Sequence, residues 1–163
     1  MTHTLPPGAD VLIDSNLAIL LVTGSSGSGN IARHKRLREY DETDFRLLDD
    51  LLSARNLVFS PHVLAETSNL LRYAKAPLKD ELSGVLKTLV ESSSELQASA
   101  KEIVQDADFI RLGITDAALL TILDAHPALV LITVDLDLYW SALARGHDAV
   151  NFAHIRDLRP DFR

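Results

Sequence analysis

Short, unbroken apolar runs alternate with amphipathic stretches along this 163-residue chain. Aliphatic runs near residues 10–14, 57–60, 129–133 and 149–152 have strand length and are rich in β-branched residues. Between them the period lengthens to that of a helix. Phe45, Leu48, Leu51 and Leu52 form one stripe, which predicts a helix over 44–55 with Asp41 or Thr43 as its N-cap. Ser60-Pro61 is a helix start, the serine capping and the proline in the first helical position, and it brings Glu66 into the second turn. A helix opening at Pro77 carries Leu78, Leu82, Val85, Leu86 and Leu89 on one face, and Ser92-Ser93-Ser94 ends it. A further helix is expected over 95–105. Thr115 is placed to cap a helix running from Asp116 to about His126-Pro127, and a last long helix runs from Asp137 to Arg145 and stops at Gly146. The segment GSSGSGN, residues 24–30, reads as a mobile loop. Strands separated by helices predict an α/β fold in one domain spanning residues 1–163. Its central sheet is mainly parallel, has four or five strands and carries helices on both faces.

Four acidic residues sit where apolar runs turn toward helices: Asp14, Glu66, Asp116 and Asp135. Tens of residues separate most of them, yet strand carboxyl ends and the helix starts that follow converge on one crevice in an open α/β sheet. Carboxylates gathered there repel one another strongly in a low dielectric. A divalent cation relieves the repulsion, and Mg2+ or Mn2+ suits a set of oxygen ligands. This predicts a metal-dependent enzyme acting on phosphate. Acids near helix starts also serve the helix dipole, and Asp10, Asp124, Asp137 and Asp148 flank apolar runs too.

Composition narrows the picture. With 47% hydrophobic and 24% charged residues the chain can bury a core, and the absence of cysteine removes disulfides and thiolate metal sites. No apolar run is long enough to span a bilayer, so a soluble, cytoplasmic protein is expected. The net charge of −7 argues against broad electrostatic binding of nucleic acid. Arg33, Lys35, Arg36 and Arg38 nevertheless cluster within six residues around His34 and are candidate RNA contacts, or else a solvated surface.

Other chemistries find little support. The Gly/Ser segment follows a helix and lacks the Gly-Lys-Ser/Thr ending of a phosphate loop, and no G-x-S-x-G elbow is present. His62 and Glu66 lie four apart, but His3, His34, His126, His147 and His154 offer no complementary zinc spacing. A receiver-type phosphotransfer module needs a lysine after a late strand, and no lysine follows Lys101.

The segments Val-Leu-Ile-Asp14-Ser-Asn16, Ser60-Pro-His-Val-Leu-Ala-Glu66-Thr-Ser-Asn69, Gly113-Ile-Thr-Asp116-Ala-Ala and Ile132-Thr133-Val-Asp135 together resemble the successive motifs of PIN-domain ribonucleases, from about Asp10 to Phe152. The resemblance implies a PIN-like three-layer fold and Mg2+- or Mn2+-dependent endoribonuclease activity. It implies Asp14, Glu66, Asp116 and Asp135 as the catalytic acids, with Asp14, Asp116 and Asp135 on the metal. Asn16 and Thr133 would support them, and Asp137 is a second candidate for the fourth acid. Many bacterial members of the family are VapC-type toxins, which implies an antitoxin partner and a homodimer for this chain. The segment between the first helix and the glutamate motif is longer here than in small toxins of the family. A nuclease of RNA processing outside a toxin–antitoxin pair, or a non-catalytic PIN-like scaffold, are the alternatives.

Overall fold

The computed structural model describes residues 5–161. Five strands form one sheet in the order β3-β2-β1-β4-β5, every neighbouring pair parallel. The strands are β1 (Val11–Ile13), β2 (Leu57–Phe59), β3 (Ser94–Glu95), β4 (Val130–Thr133) and β5 (Asp148–Asn151). Central β1 and β4 are buried along their whole length, so they read as continuous apolar runs rather than alternating ones. The helices are α1 (Ser15–Ser26), α2 (Glu42–Leu52), α3 (Pro61–Leu71), α4 (Leu78–Glu91), α5 (Ala100–Ile103), α6 (Phe109–Leu112), α7 (Ile114–Ala125), α8 (Leu136–Ala144) and α9 (Phe152–Asp157). Helix α1 packs with α2, α3 and α4, while α7 packs with α5, α6 and α8, giving the outer layers of an α/β/α fold. No helix among the described residues is long and apolar enough to cross a membrane.

From β1 the chain moves outward to β2 and β3, then returns to β4 on the other side of β1. The strand order therefore reverses between β1 and β4, and the crevice of an open α/β sheet forms at the carboxyl ends of such a pair. Nine of the twelve residues of α1 are buried, which is why this helix is apolar nearly all round instead of on one stripe.

Several expectations are met closely. Asp41 caps α2 with a full capping box, its side chain accepting from Asp44 N–H while Asp44 accepts from Asp41 N–H. Ser60 caps α3 with Pro61 in the first turn. Others are corrected. The helix expected over 95–105 is an edge strand followed by one short helix. Leu96 N–H donates to Phe59 O at 3.0 Å and the Asn56 and Ser94 side chains pair, so residues 94–95 are drawn onto β2. The Ser99/Glu102 capping box then starts α5 only at Ala100. Gly113, at φ 84°, caps α7, which puts Thr115 inside the helix rather than at its cap. Helices α6 and α9 were not foreseen; α9 leaves β5 directly, capped by Asn151.

The GSSGSGN segment is not a loop throughout. Gly24, Ser25 and Ser26 complete α1, and residues 28–33 and 35–37 form two 3-10 turns. Ile31, His34 and Leu37 are buried while Arg33, Lys35, Arg36 and Arg38 are exposed, the three-residue period of a 3-10 helix. Gly24 permits this course, because a Cβ there would lie 2.1 Å from Cδ2 of Phe45 on α2. Gly24→Ala is expected to destabilise the fold by about 1–3 kcal/mol through overpacking, beyond the roughly 1 kcal/mol that alanine gains in helix propensity. Thermal unfolding followed by circular dichroism checks this, and Phe45→Leu in the same chain should recover part of the loss.

Candidate active site

The cavity at the β1–β4 reversal has a volume of about 220 Å3, and Asp14, Ser15, Asn16, Glu66, Gly113, Thr115, Asp116 and Asp135 are among the residues that line it. Each acid arrives by its own local logic. Asp14 ends β1 and caps α1, its Oδ1 accepting from Leu17 N–H at 2.8 Å. Asp135 follows β4 and caps α8, its Oδ1 accepting from Leu138 N–H at 2.8 Å. Asp116 stands in the first turn of α7, where a carboxylate suits the helix dipole. Glu66 projects from the second turn of α3. Among the described residues lining the cavity, none is basic.

Asp14 is the most buried of the four, only 2% exposed. Its Oδ2 accepts from the Thr133 hydroxyl and from Val134 N–H, the latter at 2.9 Å. Thr133 Oγ1 in turn accepts from Asp135 N–H at 2.9 Å, so one hydroxyl ties β4 and Asp135 to Asp14. These donors favour the charged carboxylate, yet desolvation outweighs them and raises the Asp14 pKa above its ordinary value, with the Asp135 charge adding to it. Asp116, half-buried with no hydrogen bond to stabilise its charge, is pushed up to about 7 by burial first and then by Asp135, Asp14 and Glu66. Acids whose charge is disfavoured by burial and by like-charged neighbours are a mark of functional sites.

The fit to a divalent cation rests on the donor set. All four acids offer hard oxygen ligands. Ser15 is only 6% exposed, lines the same cavity, and its Oγ has no hydrogen-bond partner. The same lack of a partner holds for Thr23 Oγ1 and Thr67 Oγ1, so the fit rests on the carboxylates rather than on this hydroxyl. Among the described residues, no three His, Asp or Glu side chains are grouped tightly enough to hold an ion as they stand.

The sequence candidates divide as follows. Asp14, Asn16, Glu66, Asp116 and Asp135 meet at the cavity, and Thr133 supports Asp14 from below. Asp137 does not line it; its side chain is 77% exposed and lies 3.9 Å from Arg111 Nη1. Arg33, Lys35, Arg36 and Arg38 also stand apart from the cavity. They lie on the 3-10 segment, with His34 beside Leu70 at the end of α3. His62 joins no cluster of metal ligands, and His3 lies outside the described residues. Sequence reasoning missed Ser15 and Arg111. Ser15 directly follows Asp14, and Arg111 immediately precedes the Leu112–Asp116 stretch that forms one cavity wall. A larger groove of about 700 Å3 lies at the opposite end of the sheet, beside Asp10, Asn56 and His126, and gathers no comparable set of acids.

No known family model and no curated protein sequence matches the chain. The fold is similar to the crystal structure of PAE2754 from Pyrobaculum aerophilum, with TM-score 0.53 over 92% of this chain and 96% of that one. At 18% identity the likeness shows a shared fold alone.

The raised acids make a prediction for the metal-free protein. Native Asp116 holds its proton up to about 7, whereas an unfolded chain releases it near 3.8. Between those values the native state binds more protons, so stability from this group is lost as pH rises through the window, by at most about 1.4 kcal/mol per pH unit. Asp116→Asn in EDTA should match the parent at pH 4 and exceed it by roughly 1–3 kcal/mol at pH 8, allowing for solvent screening. Urea unfolding across that range checks it, and a difference independent of pH contradicts the coupling.

Proposed function

We propose that this protein is a Mg2+- or Mn2+-dependent endoribonuclease of the PIN-domain kind, with the acidic cavity as its active site. The observation that carries the proposal is the convergence of four carboxylates from four separate segments on one cavity without a basic residue among its described lining. RNA as the substrate rests on the resemblance of the four motifs to that family.

Asp14, Asp116 and Asp135 would hold the cation. A bound Mg2+ or Mn2+ supplies charge stabilisation to a phosphodiester and makes hydroxide accessible near neutral pH. The chain's own residues do the rest. Thr133 and Val134 occupy Oδ2 of Asp14 and leave more of its acceptor capacity on Oδ1. Asp116 must give up its proton for the site to load, which its displaced pKa allows at neutral pH. Glu66, contributed by α3, would bind the metal through water or orient the attacking water. Asn16, exposed at the rim, can donate to a phosphate or ribose oxygen. No protein nucleophile is required.

The setting inferred with this activity is the toxin of a toxin–antitoxin pair, with RNA as substrate, an antitoxin protein that masks the acids, and a second copy of the chain as partner. Asp14→Asn and Asp116→Asn should each abolish Mn2+-dependent cleavage of RNA while the chain stays folded. Mn2+ should raise the parent's unfolding temperature, because a ligand bound only by the native state stabilises it. Expression in a host without a partner should arrest growth, and Asp116→Asn should relieve the arrest. Parent-like cleavage by both variants, with no metal-dependent shift in calorimetry, overturns the proposal.

The basic 3-10 segment is proposed as an outer phosphate track. Replacing Lys35 and Arg38 by Gln should make the dependence of log affinity on log salt shallower by about 1.4, at roughly 0.7 per phosphate contact on a single strand. An unchanged slope returns these residues to solvated surface.

A further inference from the structure

Helix α8, capped by the cavity acid Asp135, also carries the only tryptophan in the chain. Trp140 is 57% exposed, and Leu136, one turn earlier on the same face, is 51% exposed. The indole is nonetheless held. The buried Tyr139 ring packs against it with centroids 5.1 Å apart and tilted by 59°, and Tyr139 is itself set edge-on to His154. One side of the indole is thus buttressed and much of the remainder faces solvent.

Arg111 lies alongside. Its Nη2 donates to Ser141 Oγ at 2.6 Å and to Asp108 Oδ1 at 2.5 Å, and its Nη1 stands 3.9 Å from Asp137. Asp137 and Ser141 are the chain neighbours of Leu136 and Trp140, so the half-exposed guanidinium is held on the adjacent stripe of α8. On its other side the chain passes straight into Leu112, Gly113 and Ile114, which form part of the cavity wall. An exposed aromatic, an aliphatic and a guanidinium are therefore carried by the two segments, α6–α7 and α8, that also bring Asp116 and Asp135 to the cavity.

We propose that Trp140, with Leu136 and Arg111, is a platform on which a nucleobase of single-stranded RNA stacks while the neighbouring phosphodiester enters the acidic cavity. This rests on the nuclease reading above. Every nucleobase has a π face, and stacking on an aromatic side chain is a tolerant, sequence-independent way to hold a single strand. Arg111 shares its charge with Asp108 and Asp137, so it aligns the strand more than it attracts it.

The single tryptophan makes the test direct. In the Asp116→Asn background with Mg2+, so that the strand stays intact, an eight-nucleotide single-stranded RNA should quench Trp140 emission to saturation. Trp140→Ala should weaken binding of the labelled strand, read by polarisation, roughly 5- to 150-fold, and Trp140→Phe should retain most of the affinity. Arg111→Gln should weaken it less. Strand binding without quenching, and with equal affinity in Trp140→Ala, overturns the platform and leaves the nuclease reading intact. No strand binding, with no cleavage by the parent in Mn2+, overturns both. Light scattering that shows a parental dimer becoming a Trp140→Ala monomer of unchanged RNA affinity assigns the surface to a second copy and overturns the proposal.

Discussion

Everything at the carboxyl end of this sheet depends on keeping Asp14 where it is. A carboxylate 2% exposed, at the end of the central strand, is an expensive group. Leu17 N–H, Val134 N–H and the Thr133 hydroxyl reach it from two directions. Those bonds also do structural work, since they start α1 on one side and fasten the end of β4 on the other. Desolvation still outweighs them. Asp116 and Asp135 then add like charge to a site that already disfavours it.

The surrounding structure holds this unfavourable arrangement by packing the elements around it closely. Helix α1 is buried almost throughout, which fixes Asp14 and Ser15 at its first turn. The close approach of Phe45 to Gly24 locks α2 onto the far end of the same helix. Near the carboxyl end, Asp44 is 1% exposed and receives Arg156 at 2.9 Å and Arg159 at 2.7 Å. That network ties α2 to α9 and the residues after it, and Tyr40 lies under the Arg156 guanidinium at 4.5 Å. Breaking a buried pair of this sort typically costs about 3–5 kcal/mol. Tyr40, pushed up to about 12 mainly by its burial, also feels the Asp14 charge, so the clamp and the acidic cavity are electrostatic neighbours.

Charge elsewhere is organised to keep basic groups engaged. Arg145 is gripped by Asp106, Asp108 and Asp124, with contacts of 2.7–2.8 Å, and holds the α5–α6 loop against α7 and α8. Arg111 shares Asp108 with it. Arg145 is committed to structure in this way, whereas Arg111 stays half-exposed and also feels the Asp135 charge; no basic side chain stands among the described lining of the cavity itself.

Chain pattern alone determined the layers, the strands β1, β2, β4 and β5, and the positions of the four acids at strand ends and helix starts. Those features follow from local periodicity and capping chemistry, which act over a few residues and leave a direct trace in residue order. The Asp41 and Ser60 caps were legible for the same reason. Tertiary structure decided the rest. The edge strand β3 exists because Phe59 and Asn56 draw residues 94–95 onto β2, a contact across dozens of residues that no local window contains. The order of 24–38 needed Phe45 over Gly24 and a three-residue burial period that polar composition disguised. The separation of Asp135 from Asp137 came from the turn of α8: the first caps the helix and lines the cavity, while the second points into solvent beside Arg111. That Asp14 and Asp116 are both pushed above the ordinary carboxylate range was likewise invisible in the chain, because desolvation and like-charge repulsion are properties of groups brought together in space.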